Sequence, residues 1–445
     1  MRELILRALA HPHLASARSC FPAAVRYWVR AALEKPLGKA ESLRFRRTVD
    51  WHSHPAQATV QNVVRKPVDD LDRLSGINLY GYFSRWLGLG ECARLYANAM
   101  LESSYPVALY DVDINIPHAR LDTSLAAQMV ADSSFTSDMI FVNPDHWQET
   151  LQSIDRVPGI KRYVIGYWFW ELENFPEEWI HALDQVDEIM VSSAYIEQSV
   201  RRICSKPVTR VPLPMMLSAD SGLQRRHFGL DEEDYVFFCS FDFNSTIARK
   251  NPHAVVEAFR LAFPLGNEKV ALLIKSSNGD QHALRLKELV EVASKDRRIT
   301  IRDDMLERRD LQALHRCSDV YVSLHRSEGF GLGLAEAMCM GKVVVATGYS
   351  GNMEFMTSAN SCLVDYRMVP VLQGEYPYAK GQHWADPDPQ HAAHHLRALY
   401  LDRAMARSIG LQASQDMARN FSVEACMNVL AQRLRLIDLA SDDPA

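Results

Sequence analysis

From Gly76 onward, hydrophobic and polar positions follow two alternating rhythms along this chain. Runs such as GINLYGYF (76–83), VALYDVDI, MIFVNP, RYVIGYWF and EIMVSS are short and rich in β-branched and aromatic residues, which predicts buried strands. Between them, ECARLYANAML, EEWIHALDQV and YIEQSVRRI carry apolar residues every three or four positions, which predicts helices. A second series begins with YVFFCSFDF (235–243) and continues through VALLIKSS, ITIRDD, DVYVSL and KVVVAT, each followed by a helical stretch. The rhythm breaks near VPLPMML (211–217). Strand–helix repetition on both sides of that break predicts an α/β protein of two doubly wound parallel-sheet domains, with the cleft between them as the ligand site. The Tyr- and Pro-containing stretch 366–389 reads as a long loop.

Composition agrees with a soluble enzyme. The 445 residues, 47% hydrophobic and 23% charged, suffice for two or three cores. A formal charge of -6 argues against a nucleic-acid partner. The eight cysteines are scattered without a Cys-x-x-Cys pair, so neither a zinc site nor a disulfide framework is expected, and a reducing cytoplasm fits. No apolar run reaches the ~18 residues of a membrane span, and no signal-peptide pattern opens the chain. Charge is nevertheless uneven: residues 1–47 hold ten Lys or Arg against three Glu. There Ile5, Leu6, Leu9 and Phe21, Val25, Trp28, Val29 recur at helical spacing. Such a segment can lie as an interfacial helix on the inner face of an anionic membrane, or be an extension that packs on the domain or is partly disordered.

The chemistry concentrates in HRSEGFGLGLAEAMCM (325–340), where two carboxylates flank a glycine-rich turn between a strand and a helix. The amides of Gly331 and Leu332, at the positive end of the helix dipole, suit phosphate oxygens, and Gly329 and Gly331 allow close approach beside Phe330. A carboxylate beside a phosphate is repulsive, so Glu328 and Glu336 are expected to hold hydroxyls on either side of a diphosphate, those of a sugar and of a ribose. The glycines alone would equally serve a tight corner. Cations come from FDFNSTIARKNPHAVVEAF (241–259), in which Arg249 and Lys250 precede Pro252 and so stand at a helix start. Lys275, ending VALLIK, is a further candidate at the sheet's carboxyl edge.

Glu328 and Glu336 with their intervening glycines resemble the Glu-x7-Glu motif of the retaining glycosyltransferases of family 4, also called group 1, a similarity extending over about residues 76–421. That resemblance implies the GT-B fold, two facing Rossmann-like domains with a last helix crossing back to the first, here residues 423–437. It divides the chain into a basic extension (1–67), an acceptor-side domain (68–215), a nucleotide-sugar domain (216–421) and the crossover helix (422–445). It implies transfer of a hexose-type sugar from a nucleotide diphosphate donor, with GDP-mannose as the first guess, to a glycan or lipid-linked glycan. Lys250 aligns with the family's diphosphate-binding Lys; the companion Arg has no match, and Arg249 is the substitute. Lys250 and Glu328 would be the catalytic pair, the first stabilising the departing diphosphate and the second the sugar; no cofactor and no metal are called for. GLGE resembles the family's first-domain glycine loop, which places Gly88, Gly90 and Glu91 in the cleft. Asn143, in NPDHW, stands where many members have a His, so no catalytic base is assigned, and His146 is a weaker candidate. Trp168 and Trp170 of YWFWELE can stack on sugars, and Ser350, Gly351 and Asn352 can offer amides to the diphosphate. WADPD (384–388) is similar to members acting on bacterial surface polysaccharides, the lipopolysaccharide and exopolysaccharide enzymes. A sugar-nucleotide epimerase of the same fold and a noncatalytic nucleotide-sugar-binding protein are the rival readings.

The basic segment generates the first test. The full chain should sediment with anionic liposomes at low salt and a chain beginning at Pro67 should not; equal behaviour of the two would remove the membrane role.

Overall fold

The computed structural model describes residues 76–130, 135–154 and 162–442; the basic segment and the interfacial helix read there lie outside them. The strand–helix rhythm is realised as two six-stranded sheets. The first contains β1 (Ile77–Gly81), β2 (Val107–Asp111), β3 (Ser137–Ile140), β4 (Tyr163–Tyr167), β5 (Glu188–Val191) and β6 (Val208–Arg210), in the order β2-β1-β3-β4-β5-β6. Every neighbouring pair is parallel. The second contains β7 (Tyr235–Asp242), β8 (Val270–Ser277), β9 (Ile299–Asp303), β10 (Val320–Ser323), β11 (Val343–Thr347) and β12 (Cys362–Val364), in the order β12-β11-β10-β7-β8-β9 and again parallel throughout. β10 and β11 are buried along their whole length, which explains why they read as apolar runs rather than alternating ones: helices cover both faces of such a sheet.

Several elements differ from the sequence reading. β6 and β12 are three residues each, too short to leave a periodic signal. EEWIHALDQV forms a 3-10 helix, Glu177–Gln185, burying Trp179, Ala182 and Leu183. The stretch 366–389 is no simple loop: β13 (Tyr366–Pro370) and β14 (His383–Pro387) pair antiparallel as a hairpin. β13 is largely exposed while Trp384 and Ala385 of β14 are buried, so one strand anchors the other on the second domain.

Both sheets turn their carboxyl ends towards each other across the cleft, the edge at which doubly wound folds bind ligands. The helix Val423–Asp442 returns from the second domain and packs against the helix Gly88–Glu102 of the first. Its Arg433 meets the fully buried Glu188 of β5 at 2.8 Å, and Thr209 and Tyr163 hydroxyls donate to the same carboxylate. A carboxylate with no solvent of its own depends on those donors. Arg433→Met should therefore lower the unfolding free energy by about 3 kcal/mol, since it strands a buried charge; a urea midpoint equal to that of the parent would show that Glu188 does not need the returning helix.

Candidate active site

Where the two carboxyl edges face each other lies a cavity of about 440 Å³, walled by both domains and by the hairpin tip. The turn after β10 forms its second-domain side. Gly331, with φ of 96°, caps the helix Leu332–Cys339, a conformation that favours glycine. Gly329, Phe330, Gly331 and Leu332 all line the cavity, so the helix N-terminus opens onto it. The turn is held from behind. His325, fully buried, bonds to Ser323 Oγ and Asn352 Oδ1, both at 3.0 Å. Glu328 N donates to Ser350 Oγ (2.8 Å) and Gly351 N donates to Glu328 O (2.8 Å). A Cβ on Gly351 would lie 1.9 Å from Gly329 O, so only glycine permits this contact. Ser350, Gly351 and Asn352 thus brace the turn instead of facing a ligand, which corrects their reading as ligand amides.

Glu328 sits against both cations. Its Oε1 lies 2.5 Å from Lys250 Nζ and its Oε2 3.1 Å from Arg249 Nη1. The chain delivers those cations through strained corners: Thr246 (φ 62°) and Asn251 (φ 49°) bracket the single helical turn Ile247–Lys250. Asn251 Nδ2 donates to Leu324 O at 3.0 Å, tying that turn to the end of β10. Arg249 and Lys250 therefore finish one helical turn, and Pro252 starts the next helix after them. Burial alone would push the Glu328 carboxyl up, but Lys250 and Arg249 outweigh it and hold the group down at about 2. Burial lowers the Lys250 ammonium, with Glu328 opposing. Arg249 is raised: burial works against its charge, and Glu328, Tyr376 and Glu171 overcome it.

Arg249 is almost enclosed, its side chain 5% exposed, and donates to Ser327 O at 2.9 Å. It lies 3.9 Å from Glu171 of the first domain and stands over the Tyr376 ring at 5.6 Å. Lys250, 21% exposed, is the more accessible of the pair.

Glu336 is placed differently from its partner carboxylate. It is 5% exposed, outside the cavity wall, and is held by Arg308 Nη2 (2.9 Å) and Gln312 Nε2 (3.0 Å). Arg308 also pairs with Glu91 of the first domain, so one guanidinium joins both domains. Burial disfavours the charge of Arg308, but Glu336 and Glu91 hold it protonated and raise it. Lys275 does not reach the cleft: its ammonium donates to Ser276 O (3.0 Å) and Asp304 O (2.5 Å) inside the second domain, where β8 meets the loop after β9.

In the first domain Gly88 and Asn143 line the cavity. Asn143 Oδ1 accepts from Phe169 N at 2.9 Å, fixing the ends of β3 and β4 together. Gly90 is a packing residue, since its Cβ would stand 2.5 Å from Tyr82 O, and Glu91 faces Arg308 and Arg94. His146 points to Glu149 (3.4 Å) rather than into the cavity. Trp168 is fully buried, edge-on to Trp147 at 5.5 Å, whereas Trp170 lines the cavity; only the second can meet a ligand. Sequence reasoning assigned no role to Glu171, Tyr376, Tyr378, His118 or Asp145, which also line it. Glu171 lies within YWFWELE and the two tyrosines within the stretch 366–389, but no local signal places them together. Burial lowers His118 and raises Asp145, so both favour their neutral forms more than usual. Among the described residues no cluster of three His, Cys, Asp or Glu can hold a metal, and no helix is long and apolar enough to cross a membrane.

Residues 221–416 match the family model described as glycosyl transferases group 1, a span that holds Arg249, Lys250, Glu328 and Glu336. No curated protein matches the chain. Among solved structures it is similar to the Thermosynechococcus elongatus sucrose-phosphate synthase, with TM-score 0.58 and 15% identity over 82% of this chain and 99% of that one. It is similar also to Anabaena HepE in complex with UDP and glucose, with TM-score 0.56 and 14% identity over 81% of this chain and 99% of that one. The chain spans about half of a longer S. aureus protein, a TarM variant, covering 55% of it and 67% of this chain at 12% identity and TM-score 0.49. The architecture is the GT-B fold of two facing parallel-sheet domains.

The depressed Glu328 predicts a pH dependence. Its folded value of about 2 lies below the ordinary 4.5, so the stability it contributes is present above 4.5 and is lost as pH falls towards 2. Urea titrations should show the stability difference between the parent and Glu328→Gln constant from neutral pH to about 5 and changing below that, in the direction of parent loss. A difference independent of pH would contradict the buried ion pair.

Proposed function

We propose that this protein is a retaining glycosyltransferase that moves a hexose-type sugar from a nucleotide diphosphate donor to a glycan or lipid-linked glycan. The observation that carries the reading is the Glu328 carboxylate buried between Arg249 and Lys250, directly before a helix N-terminus that opens into the interdomain cavity. Phosphate oxygens have the helix amides and Lys250 to meet, while a sugar next to them meets Glu328. The departing diphosphate is the charge that needs stabilising, and fixed cations with oriented amides supply that without reorganisation. Glu328 holds the sugar hydroxyls or stabilises positive charge at the ring. Arg308 and Gln312 both meet Oε1 of Glu336, which leaves Oε2 for the ribose, and Arg308 ties the same carboxylate to Glu91 of the first domain.

Two donors come first in the assay: GDP-mannose, from the sequence reading, and UDP-glucose, because HepE, which shares the fold, has been solved in complex with UDP-glucose. A role in building a bacterial surface polysaccharide, at the inner face of the membrane, rests on WADPD and the basic N-terminal residues.

Incubation with each donor and a panel of glycosides, followed by NMR of the product, should give a new glycosidic bond with the donor's anomeric configuration. Activity should persist in excess EDTA, because Lys250 and the helix amides neutralise the diphosphate. Glu328→Gln should slow transfer by roughly tenfold or more while leaving the affinity for the free nucleoside diphosphate nearly unchanged. An inverted product, a requirement for manganese or magnesium, or donor epimerised without any acceptor would each contradict the proposal. Tight donor binding with no turnover would favour the noncatalytic reading.

A further inference from the structure

The hairpin β13–β14 and the segment after β4 remain outside the donor chemistry, yet they meet at the cavity. Trp170 and Glu171 come from the first domain and Tyr376, Pro377 and Tyr378 from the hairpin tip, and all five line the cavity. The tip is fixed to the first domain by reciprocal bonds: Gln382 Nε2 donates to Asn174 O (2.6 Å) and Asn174 N donates to Gln382 Oε1 (3.1 Å). Tyr376 Oη donates to Glu171 Oε2 at 2.7 Å, and Trp179 Nε1 donates to Tyr378 Oη at 3.3 Å. The rings of Tyr376 and Tyr378 lie 5.9 Å and 6.1 Å from that of Trp170. The result is an aromatic wall with one carboxylate in it, assembled from two domains.

Its chemistry is selective. Aromatic faces accept the C–H face of a sugar ring, and a carboxylate accepts from its hydroxyls. The cation nearest the wall, Arg249, is already opposed by Glu328 and Glu171, and Asp145 lines the same cavity. An anionic group placed here would face carboxylates and find no unopposed positive charge. Glu171 approaches Arg249 at Nη2 (3.9 Å) and Glu328 at Nη1 (3.1 Å), so the wall adjoins the donor turn through a different nitrogen of one guanidinium.

We infer that Trp170, Glu171, Tyr376 and Tyr378 form the acceptor subsite and that it takes a neutral sugar ring, the hairpin being the specificity-determining element. This rests on the glycosyltransferase reading above. Tyr378 supplies a stacking face and Glu171, oriented by Tyr376, receives the acceptor's hydroxyls.

The test uses the full chain saturated with whichever of UDP or GDP binds it by calorimetry. Saturation-transfer NMR is run with the methyl α-glycosides of glucose, mannose and galactose and with the 6-phosphates of the same sugars. At least one neutral glycoside should give a signal, and the phosphates should not. Tyr378→Ala and Glu171→Gln should each weaken that glycoside by roughly tenfold, with nucleotide affinity held within about twofold. Tyr376→Phe, which keeps the ring and frees Glu171, should weaken it less than Glu171→Gln. Absence of signal from every neutral glycoside, preference for the phosphates, or equal losses of nucleotide and glycoside would each overturn the inference. Should neither diphosphate bind the parent chain, the donor reading fails by itself, and the same glycoside screen without nucleotide still decides the wall.

Discussion

A carboxylate buried against two cations is the constraint on which this site depends. Glu328 cannot remain ionised in the cleft without Lys250 and Arg249, and those two cations would be costly to bury without Glu328. The requirement fixes the relation between the turn after β10 and the turn after β7, because the charges must meet across 78 residues of sequence. It explains the left-handed Thr246 and Asn251, the bond from Asn251 to Leu324, and the brace from Ser350 and Gly351 behind Glu328. Lys250, the more exposed cation, has three N–H donors and can meet a diphosphate while it stays bonded to Glu328, and Arg249 stays engaged with the backbone and two carboxylates. Ligand and carboxylate thus share one set of charges.

A second linkage runs through Arg308, which holds Glu91 of the first domain and Glu336 of the second. The third is the hairpin tip, which bonds to Asn174 and Glu171. Glu328, Arg249 and Lys250 belong to one domain, but the Arg308 and hairpin contacts cross the cleft, so the domains are joined in part beside the candidate site, in addition to the Arg433–Glu188 contact of the returning helix. Opening the cleft must separate charged and hydrogen-bonded partners, and closing it on a ligand must exchange some of them. Such coupling gives ligand binding a direct effect on domain closure.

Much of the framework was legible because periodicity reports burial. The apolar runs gave both parallel sheets, and the glycines between strand and helix gave the turn that carries Glu328. Lys250 was singled out by its alignment with the family's diphosphate-binding Lys, and it lines the cavity. What could not be read was partnership. Nothing local distinguishes Trp168, which turns into the core, from Trp170, which faces the cavity. Lys275 ends a strand at the proper edge, yet its ammonium is taken by Ser276 and Asp304 carbonyls, a choice set by the neighbouring β9 loop. Tyr376 and Glu171 lie 205 residues apart, and only the hairpin's fold brings them together. Arg308 carries no motif, and its role follows entirely from which carboxylates surround it.

In the proposed enzyme Lys250 meets the diphosphate of the donor. Calorimetric titration of the parent and Lys250→Met with a nucleoside diphosphate and with the corresponding nucleoside tests this most directly. The variant should lose on the order of 2 kcal/mol for the diphosphate and keep its affinity for the nucleoside. Equal diphosphate affinity in both proteins, or a matching loss for the nucleoside, would contradict it.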